Sequence, residues 1–212
     1  MQAINLNDLI SQLEKNTPEI ERQSYEAILK QIDLSSLDSI KAYLILRSIH
    51  ATARFDYKDD LIIDNQSIKN AIKAIKKDAP IITDSNMLKS AINYTNKFCY
   101  LSETPNQNND KATTKTAYAI KKAINDWPND AIFAVGSSPT ALFEIINAVN
   151  LKKLNPALVI GVPVGFIGAV DAKLALMNSN CHFITNKSAF GGAALGAALI
   201  NSIIRLATLK DV

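Results

Sequence analysis

Along the first fifty residues, apolar side chains recur at nearly the spacing of an α-helix. The segment "EIERQSYEAILKQI" carries Ile20, Tyr25, Ile28 and Ile32 along one side, and "SLDSIKAYLILRSI" repeats this pattern. Apolar residues three, four and seven positions apart form one face of a helix. Residues 1–50 are therefore predicted to be a helical segment.

Further along the chain, short apolar runs alternate with amphipathic segments of helical length. The predicted strands are 60–64, 80–83, 97–101, 131–136, 157–161 and 182–185. These runs are continuous rather than alternating, as expected for a parallel sheet that is buried on both faces. Strand–helix alternation over residues 59–212 favours a three-layer α/β/α architecture with a mainly parallel central sheet. Together, this alternation and the helical segment at residues 1–50 predict one domain over residues 1–212.

Composition narrows the class of protein. The chain has 212 residues, 48% of them hydrophobic and 20% charged, and a net charge of +3, which is too small to favour nucleic acid. Two uncharged runs, 155–170 and 188–204, fall short of the roughly 20 apolar residues that a membrane-spanning helix needs. The N-terminus has no signal-peptide pattern. We expect a cytoplasmic protein without a membrane segment.

Three predicted strands end in loops rich in glycine, proline and small hydroxyl residues: "SSPT", "VPVGF" and "NKSAFGG". Ligands of open α/β sheets bind beyond the carboxyl ends of the strands. The hydroxyl and N–H groups of "VGSSPTALFE" could cradle a phosphate before a helix, but a plain strand–turn–helix junction fits equally well. "GVPVGFIGAVDAK" could form a flat apolar wall for a large ligand or a purely structural loop.

The chain has two histidines, of which His50 lies in "RSIHATARFDY". An imidazole titrates near neutral pH and serves as a general acid or base, but a lone histidine can also be a packed or solvated side chain. His182 follows Cys181, without the further ligands that a metal site needs. We therefore expect no metal site.

Taken in order, several motifs resemble those of the precorrin-8X methylmutase family of cobalamin biosynthesis, which includes the cobalt-precorrin-8 methylmutases. "PEIERQSYEAI" is similar to the family's serine followed by an aromatic, "RSIHA" to Arg-x-x-His-Ala, and "DSNM" to Asp-x-x-Met. "TTKTA" resembles Thr-Arg-Ser-Ala, and "VGSSPTALF" resembles Gly-Asn-Ala-Pro-Thr-Ala-Leu. "ALVIGVPVGFIGAVDAK" and "GGAALGAALIN" match two further segments. Lys115 replaces a usual arginine, Ser137 and Ser138 replace Asn-Ala, and "NKSAFGG" departs from Gly-Arg-x-Gly-Gly.

The resemblance implies an isomerase that moves a methyl group from ring carbon 11 to carbon 12 of a tetrapyrrole, without a cofactor. The substrate would be precorrin-8X or cobalt-precorrin-8, and the product hydrogenobyrinic or cobyrinic acid. His50 would donate or accept the proton. The resemblance also implies a homodimer with each site near the interface, for which the apolar C-terminal helix offers weak support.

The predicted substrate contacts combine residues that match family motifs with hydroxyl, cationic and glycine residues of the loops. They are Ser24, Arg47, Thr114, Lys115, Thr116, Ser137, Ser138, Thr140, Val164, Gly165, Phe166, Ser188, Gly191 and Gly192. Arg47 precedes His50 by three residues and so shares its side of a helix. It could grip a substrate carboxylate or form a surface salt bridge.

Two alternatives remain open at this point. One is a corrinoid-binding protein without catalytic activity, which the substitutions at Lys115 and Lys187 would permit. The other is an unrelated α/β enzyme that binds phosphate at the "GSSPT" loop.

Overall fold

The computed structural model describes residues 5–104 and 114–209. Its strands are β1 (Leu61–Ile63), β2 (Ile81–Thr83), β3 (Lys97–Phe98), β4 (Ile132–Val135), β5 (Leu158–Gly161) and β6 (Phe183–Asn186). They form one sheet in the order β1-β6-β5-β4-β2-β3. β1 pairs antiparallel with β6, and every other pairing is parallel. The predicted α/β class with a mainly parallel sheet is confirmed.

Helices precede, connect and flank the strands. They are α1 (Leu6–Leu13), α2 (Glu19–Leu29), α3 (Ser39–Thr52), α4 (Tyr57–Asp60), α5 (Asn65–Lys76), α6 (Asn86–Ala91), α7 (Lys115–Asp126), α8 (Pro139–Asn150), α9 (Ala169–Met177) and α10 (Ala193–Ala207). Side chains of Asp64, Ser85, Thr114 and Ser138 cap the first turns of α5, α6, α7 and α8. These caps satisfy backbone N–H groups that have no partner within the helix.

Each face of the sheet carries its own hydrophobic core. Along β4, Ile132 and Ala134 point towards the core that contains α1, α2, α3, α5, α6 and α10. Phe133 and Val135 point towards the core that contains α7, α8 and α9. Successive side chains of a strand face opposite sides, so a strand that is covered on both sides must be apolar throughout. This explains the continuous apolar runs in the sequence.

Helix α10 lies at the centre of the first core, packed against α3, α5 and α6. Gly196 allows a close approach there, because a Cβ atom at this position would lie 3.2 Å from Leu88 Cδ1. No helix in the described part of the chain is long and apolar enough to cross a membrane. The uncharged run 188–204 is therefore a loop followed by a core helix, packed among other helices.

The structure differs from the sequence prediction around 97–101. The strand ends at Phe98, and a 3-10 helix occupies Tyr100–Glu103. Trp127 explains this turn, since its indole N–H donates to the Tyr100 hydroxyl at 3.0 Å and its ring stacks 5.4 Å from that of Phe98. The polar composition of "SETPNQNND", residues 102–110, predicts a loop after this strand, but residues 105–110 lie outside the described residues.

Candidate active site

The loops that follow β2, β4, β5 and β6 meet at the carboxyl edge of the sheet and bond to one another. The N–H group of Gly192 donates to Val162 O at 2.8 Å, and that of Gly165 donates to Ala189 O at 3.1 Å. A Cβ atom at Gly136 would lie 3.1 Å from the backbone of Ala193. The predicted loops therefore form one continuous surface at the position where such sheets bind ligands.

His50 lies in the last turn of α3 and is half-buried. Its ring meets the ring of Tyr25 edge to face, with 5.0 Å between centroids and 71° between planes. Burial lowers the pKa of His50, and the nearby charge of Arg47 lowers it further, while Glu21 and Glu14 oppose this. The imidazole therefore favours its neutral form at neutral pH.

Arg47 lies one turn before His50, within a buried polar network. Its Nη1 atom donates to the Tyr25 hydroxyl and, at 3.4 Å, to Glu14 Oε1. Its Nε atom has no hydrogen-bond partner within the described residues. Ser24 precedes Tyr25 on α2, where its hydroxyl donates to Ile20 O at 2.8 Å. Arg47 is thus part of a network inside the protein, rather than a surface salt bridge.

The end of α3 contacts the loop after β6. The guanidinium of Arg54 lies over the Phe190 ring, with Cζ 3.4 Å from the centroid, and it pairs with Asp56. Arg54 follows His50 by four residues, and Phe190 directly precedes Gly191. This contact connects the helix that carries the imidazole to the strand-end loops.

The turn after β5 exposes apolar side chains. Val164 is half exposed, and Phe166 and Ile167 are almost completely exposed. Gly191 allows the neighbouring loop to approach, because a Cβ atom there would lie 2.2 Å from Val162 O. Gly192 has a φ of 110°, which other residues rarely adopt. Both glycines are therefore needed where the two loops touch.

A buried polar cluster shapes the loop that contains Ser188. Asp60 accepts hydrogen bonds from the Ser188 hydroxyl at 2.7 Å, the Ser188 N–H at 2.8 Å and the Asn186 amide at 2.9 Å. From α9, Lys173 Nζ donates to Ser188 O at 2.7 Å and to Phe190 O at 2.6 Å. Lys187 turns away and donates to Asp59 O at 3.0 Å. Ser188 is thus placed inside the loop, where its hydroxyl bonds Asp60.

Four hydroxyl side chains meet where α7 and α8 begin. Thr114 and Thr140 are 2.6 Å apart, Thr116 and Ser138 are 2.7 Å apart, and Ser138 and Thr140 are 2.8 Å apart, measured between hydroxyl oxygens. Thr114 and Lys115, which begin this segment, are exposed. The structure therefore brings four of the predicted substrate contacts into one hydroxyl cluster, next to the N-termini of two helices.

Asp84 is the main residue of this region to which the sequence gave no role. Its buried carboxylate accepts hydrogen bonds from the N–H groups of Gly136 at 3.0 Å and of Ser137 and Ser138 at 2.7 Å each. Burial raises the pKa of Asp84, and these three bonds oppose the rise. Asp84 fixes the backbone of the "GSSPT" loop. The "DSNM" motif pointed to this residue, but nothing local in the sequence pairs it with a loop fifty residues away.

Lys173 and Asp60 were also missed, because lysine and aspartate side chains on helices are ordinarily solvated. Their burial depends on contacts between distant segments. Across residues 5–104 and 114–209, no three side chains of His, Cys, Asp or Glu converge as metal ligands do. The candidate site thus consists of an imidazole, a hydroxyl cluster, exposed apolar side chains and the polar groups that support them.

This arrangement defines an α/β protein with a candidate ligand site at the carboxyl edge of its sheet and a half-buried histidine in the last turn of α3. Among solved structures, the fold is similar to a precorrin-8X methylmutase from Thermus thermophilus, with a TM-score of 0.78 and 27% identity. The match covers 90% of this chain and 98% of the other.

Sequence comparisons agree with the structural match. A cobalt-precorrin-8 methylmutase from Methanocaldococcus jannaschii is 39% identical over 165 residues, which are 77% of this chain and 79% of the relative. One from Leptospira interrogans is 31% identical, over 90% of this chain and 94% of the relative. The sequence model of the precorrin-8X methylmutase family matches residues 19–206. The chain belongs to this family, and it is an isomerase of cobalamin biosynthesis.

Proposed function

We propose that the chain converts cobalt-precorrin-8 or precorrin-8X to cobyrinic or hydrogenobyrinic acid by moving a methyl group from ring carbon 11 to carbon 12. In this proposal His50 is the proton donor or acceptor and no cofactor takes part. Family membership supports the reaction. The observation that carries the role of His50 is its half-buried position in the last turn of α3, four residues before Arg54, whose guanidinium contacts Phe190 of a strand-end loop.

The proposed reaction requires few catalytic groups from the protein. A methyl shift makes and breaks bonds within one bound molecule, so holding the ring in a reactive shape and adjusting its protonation supply most of the catalysis. A neutral imidazole can accept a proton from a pyrrole-type nitrogen and return it when the product forms. The lowered pKa of His50 supports this, because it keeps the imidazole unprotonated near neutral pH.

The substrate carries many carboxylates around an apolar ring, and the proposed contacts fit both parts. The exposed side chains of Val164 and Phe166, with Gly165 between them, offer an apolar surface for the ring. The hydroxyl cluster formed by Thr114, Thr116, Ser138 and Thr140 lies at two helix N-termini, which favour anions. Lys115 and Ser137, both exposed, are proposed to bind carboxylates beside this cluster.

The remaining proposed contacts lie around the β6 loop and on α2. Gly191 and Gly192 bring backbone close to the ligand, and Ser188 shapes the same loop through Asp60. Ser24 directly precedes Tyr25, the residue whose ring contacts the imidazole. Arg47 is proposed to attract a substrate carboxylate with its positive charge. Its hydrogen bonds to Glu14 and Tyr25 also make it part of the buried network beside His50.

We further propose a cytoplasmic homodimer with each site near the subunit interface. Apolar side chains as exposed as Phe166 and Ile167 are typical of surfaces that a ligand or partner covers. Helix α10 does not support the dimer, because its apolar side chains fill the core. Light scattering of the purified protein tests this proposal, which predicts twice the chain mass of 23.1 kDa.

The direct test incubates purified protein with metal-free and with cobalt-loaded substrate and follows the absorbance change of the tetrapyrrole. The cobalt form is the first choice, because the relatives from Methanocaldococcus jannaschii and Leptospira interrogans are named for it. His50→Ala should bind the corrinoid without rearranging it, while His182→Ala serves as the matched histidine control and should remain active. Full turnover by His50→Ala would remove this imidazole from the mechanism. Pigment uptake without any spectral conversion by the unaltered protein would indicate a binding protein.

A further inference from the structure

Tyr25 lies between the proposed catalytic imidazole and a buried ion-pair network. The Tyr25 ring contacts the His50 ring edge to face, with 5.0 Å between the two centroids. Its hydroxyl accepts a hydrogen bond from Arg47, whose Cζ atom lies 5.8 Å from the Tyr25 ring centroid. The Tyr25 side chain is buried, so neither contact depends on solvent. One tyrosine therefore contacts both the imidazole and the guanidinium.

Arg47 is itself held by Glu14, at the C-terminal end of α1. The Glu14 side chain is only 1% exposed. Its carboxylate accepts hydrogen bonds from the Tyr43 hydroxyl at 2.6 Å, from Arg47 at 3.4 Å, and from Thr17 and Arg205. A carboxylate with donors from α3, α10 and its own turn cannot move without breaking several bonds at once. Glu14 therefore fixes the guanidinium in place.

We propose that Tyr25 is a positioning residue for the His50 imidazole, and that Arg47 and Glu14 hold Tyr25 in the orientation this requires. The inference rests on the proposed role of His50 and deepens it. An aromatic pair prefers an edge-to-face arrangement, so a fixed Tyr25 ring limits the angles available to the imidazole. Small errors in the orientation of a catalytic group are costly to a reaction rate.

The hydroxyl group makes this arrangement specific to tyrosine. Phenylalanine would keep the ring edge beside His50 but would leave Arg47 without its hydrogen bond to the ring. The charged groups that act on the imidazole lie on three elements: Arg47 on α3, Glu21 on α2 and Glu14 at the end of α1. Arg47 is 3.9 Å from Glu21 Oε2, so releasing its guanidinium from Tyr25 also changes the charge distribution around His50.

The experiment compares Tyr25→Phe and Tyr25→Leu with the unaltered protein, by nuclear magnetic resonance titration and by steady-state kinetics. The chain has only His50 and His182, so two imidazole C2–H signals report on the titration, and His182 is an internal reference. Both variants should shift the His50 titration and leave that of His182 unchanged. Tyr25→Leu should lower kcat by about 10- to 100-fold with KM within about twofold. Tyr25→Phe, which restores the ring but not the hydrogen bond from Arg47, should recover only part of that loss.

Tyr43→Phe is the matched control. Tyr43 donates its hydroxyl to the same buried carboxylate but is bonded to Glu14 rather than to Arg47. Its loss should lower thermal stability while leaving the His50 titration and kcat close to those of the unaltered protein. An equal effect of Tyr43→Phe on the imidazole would mean that general loosening of the network is responsible, which overturns the proposal.

The experiments distinguish a failure of the positioning role of Tyr25 from a failure of the catalytic role of His50. If Tyr25→Leu retains the kcat and the His50 titration of the unaltered protein, Tyr25 does not position the imidazole, whatever His50 does. If Tyr25→Leu does not fold, Tyr25→Phe decides through its titration curve, and a curve identical to that of the unaltered protein overturns the proposal. If His50→Ala turns over normally, the role of His50 fails, although the titration still measures the contact.

Discussion

The Arg54 guanidinium lies over the Phe190 ring, with its Cζ atom 3.4 Å from the ring centroid. This contact joins the end of α3, which carries His50, to the loop that leads into the Gly191–Gly192 turn. The sequence offered no reason to pair the two residues, which are separated by more than half of the chain. The segment that directly follows the proposed catalytic helix therefore contacts the proposed substrate loop through a cation–π pair.

Arg54→Leu should weaken this connection. A partly exposed cation–π contact contributes about 0.5–1 kcal/mol, so the stability of the whole protein should change little. Because the β6 loop loses a contact with α3, we expect KM for the tetrapyrrole to rise several-fold. A double-mutant cycle with Phe190→Leu should give a coupling energy of about 0.5–1 kcal/mol.

Arg22→Leu provides the control for Arg54, because Arg22 pairs with Glu19 on the exposed side of α2. It should leave both KM and stability unchanged. If Arg54→Leu and Phe190→Leu affected KM additively, the contact would not couple the helix to the loop.

Asp84→Ala should loosen the "GSSPT" loop. The substitution removes a buried acceptor of three backbone N–H groups. Unsatisfied buried donors cost about 1–3 kcal/mol each, so we expect a loss of about 3 kcal/mol or more in the free energy of unfolding. Asp84→Asn keeps one acceptor oxygen and should lose less. Urea denaturation measures both, and equal stability of Asp84→Ala and the unaltered protein would contradict this account.

The sequence was most informative about features that repeat along the chain. Continuous apolar runs located five strands to within one residue at each end. The run that begins at Lys97 extended three residues too far, because Tyr100 is drawn into a turn by Trp127. Small residues at strand ends located the loops of the candidate site. The supporting residues could not be predicted in this way. Glu14, Asp84 and Lys173 are polar residues whose burial depends on partners from distant segments.

Glu14→Gln should destabilise the protein in a pH-dependent manner. Burial raises the pKa of Glu14, but hydrogen bonds from Thr17 and Tyr43 and the charges of Arg47 and Arg205 outweigh it, so the pKa is lowered from 4.5. A lowered carboxyl pKa stabilises the folded state above the unfolded value, and this stabilisation is lost as the pH falls through the folded value.

Removing one partner of a buried ion pair costs about 3–5 kcal/mol, and we expect this difference between Glu14→Gln and the unaltered protein at pH 7. The difference should shrink as the pH falls below about 4.5, where the unfolded chain begins to bind the proton, until Glu14 is protonated in the folded protein as well. Urea denaturation across the pH range measures it. Glu26→Gln, on the exposed side of α2, should show no such trend. A difference that stayed constant down to pH 2 would exclude an ionised Glu14 in the network.

Lys173 should give a pH dependence of the same sign, but at alkaline pH. Its side chain is fully buried, and burial lowers its pKa from 10.5 to about 8, with Asp60 opposing the change. Between these values the unfolded chain binds the proton and the folded protein does not, so stability rises as the pH increases from 8 to 10.5. The rise is at most about 3 kcal/mol.

Lys173→Met removes both the buried charge and the hydrogen bonds to Ser188 O and Phe190 O. Each carbonyl keeps a hydrogen bond from the Asn186 amide, so the substitution loses two hydrogen bonds from a charged group, worth about 1.5–3 kcal/mol each, without leaving an acceptor unpaired. Near pH 7 this loss is partly offset, because the cost of burying a charge disappears. The unaltered protein should therefore gain stability over Lys173→Met as the pH rises above 8, and Lys153→Met, at an exposed position, should not show this trend. Parallel stability curves for the unaltered protein and Lys173→Met between pH 7 and 10 would mean that Lys173 carries no perturbed charge.

Lys173→Met should also raise KM for the tetrapyrrole at every pH, because Ser188 O and Phe190 O belong to the loop beside Gly191.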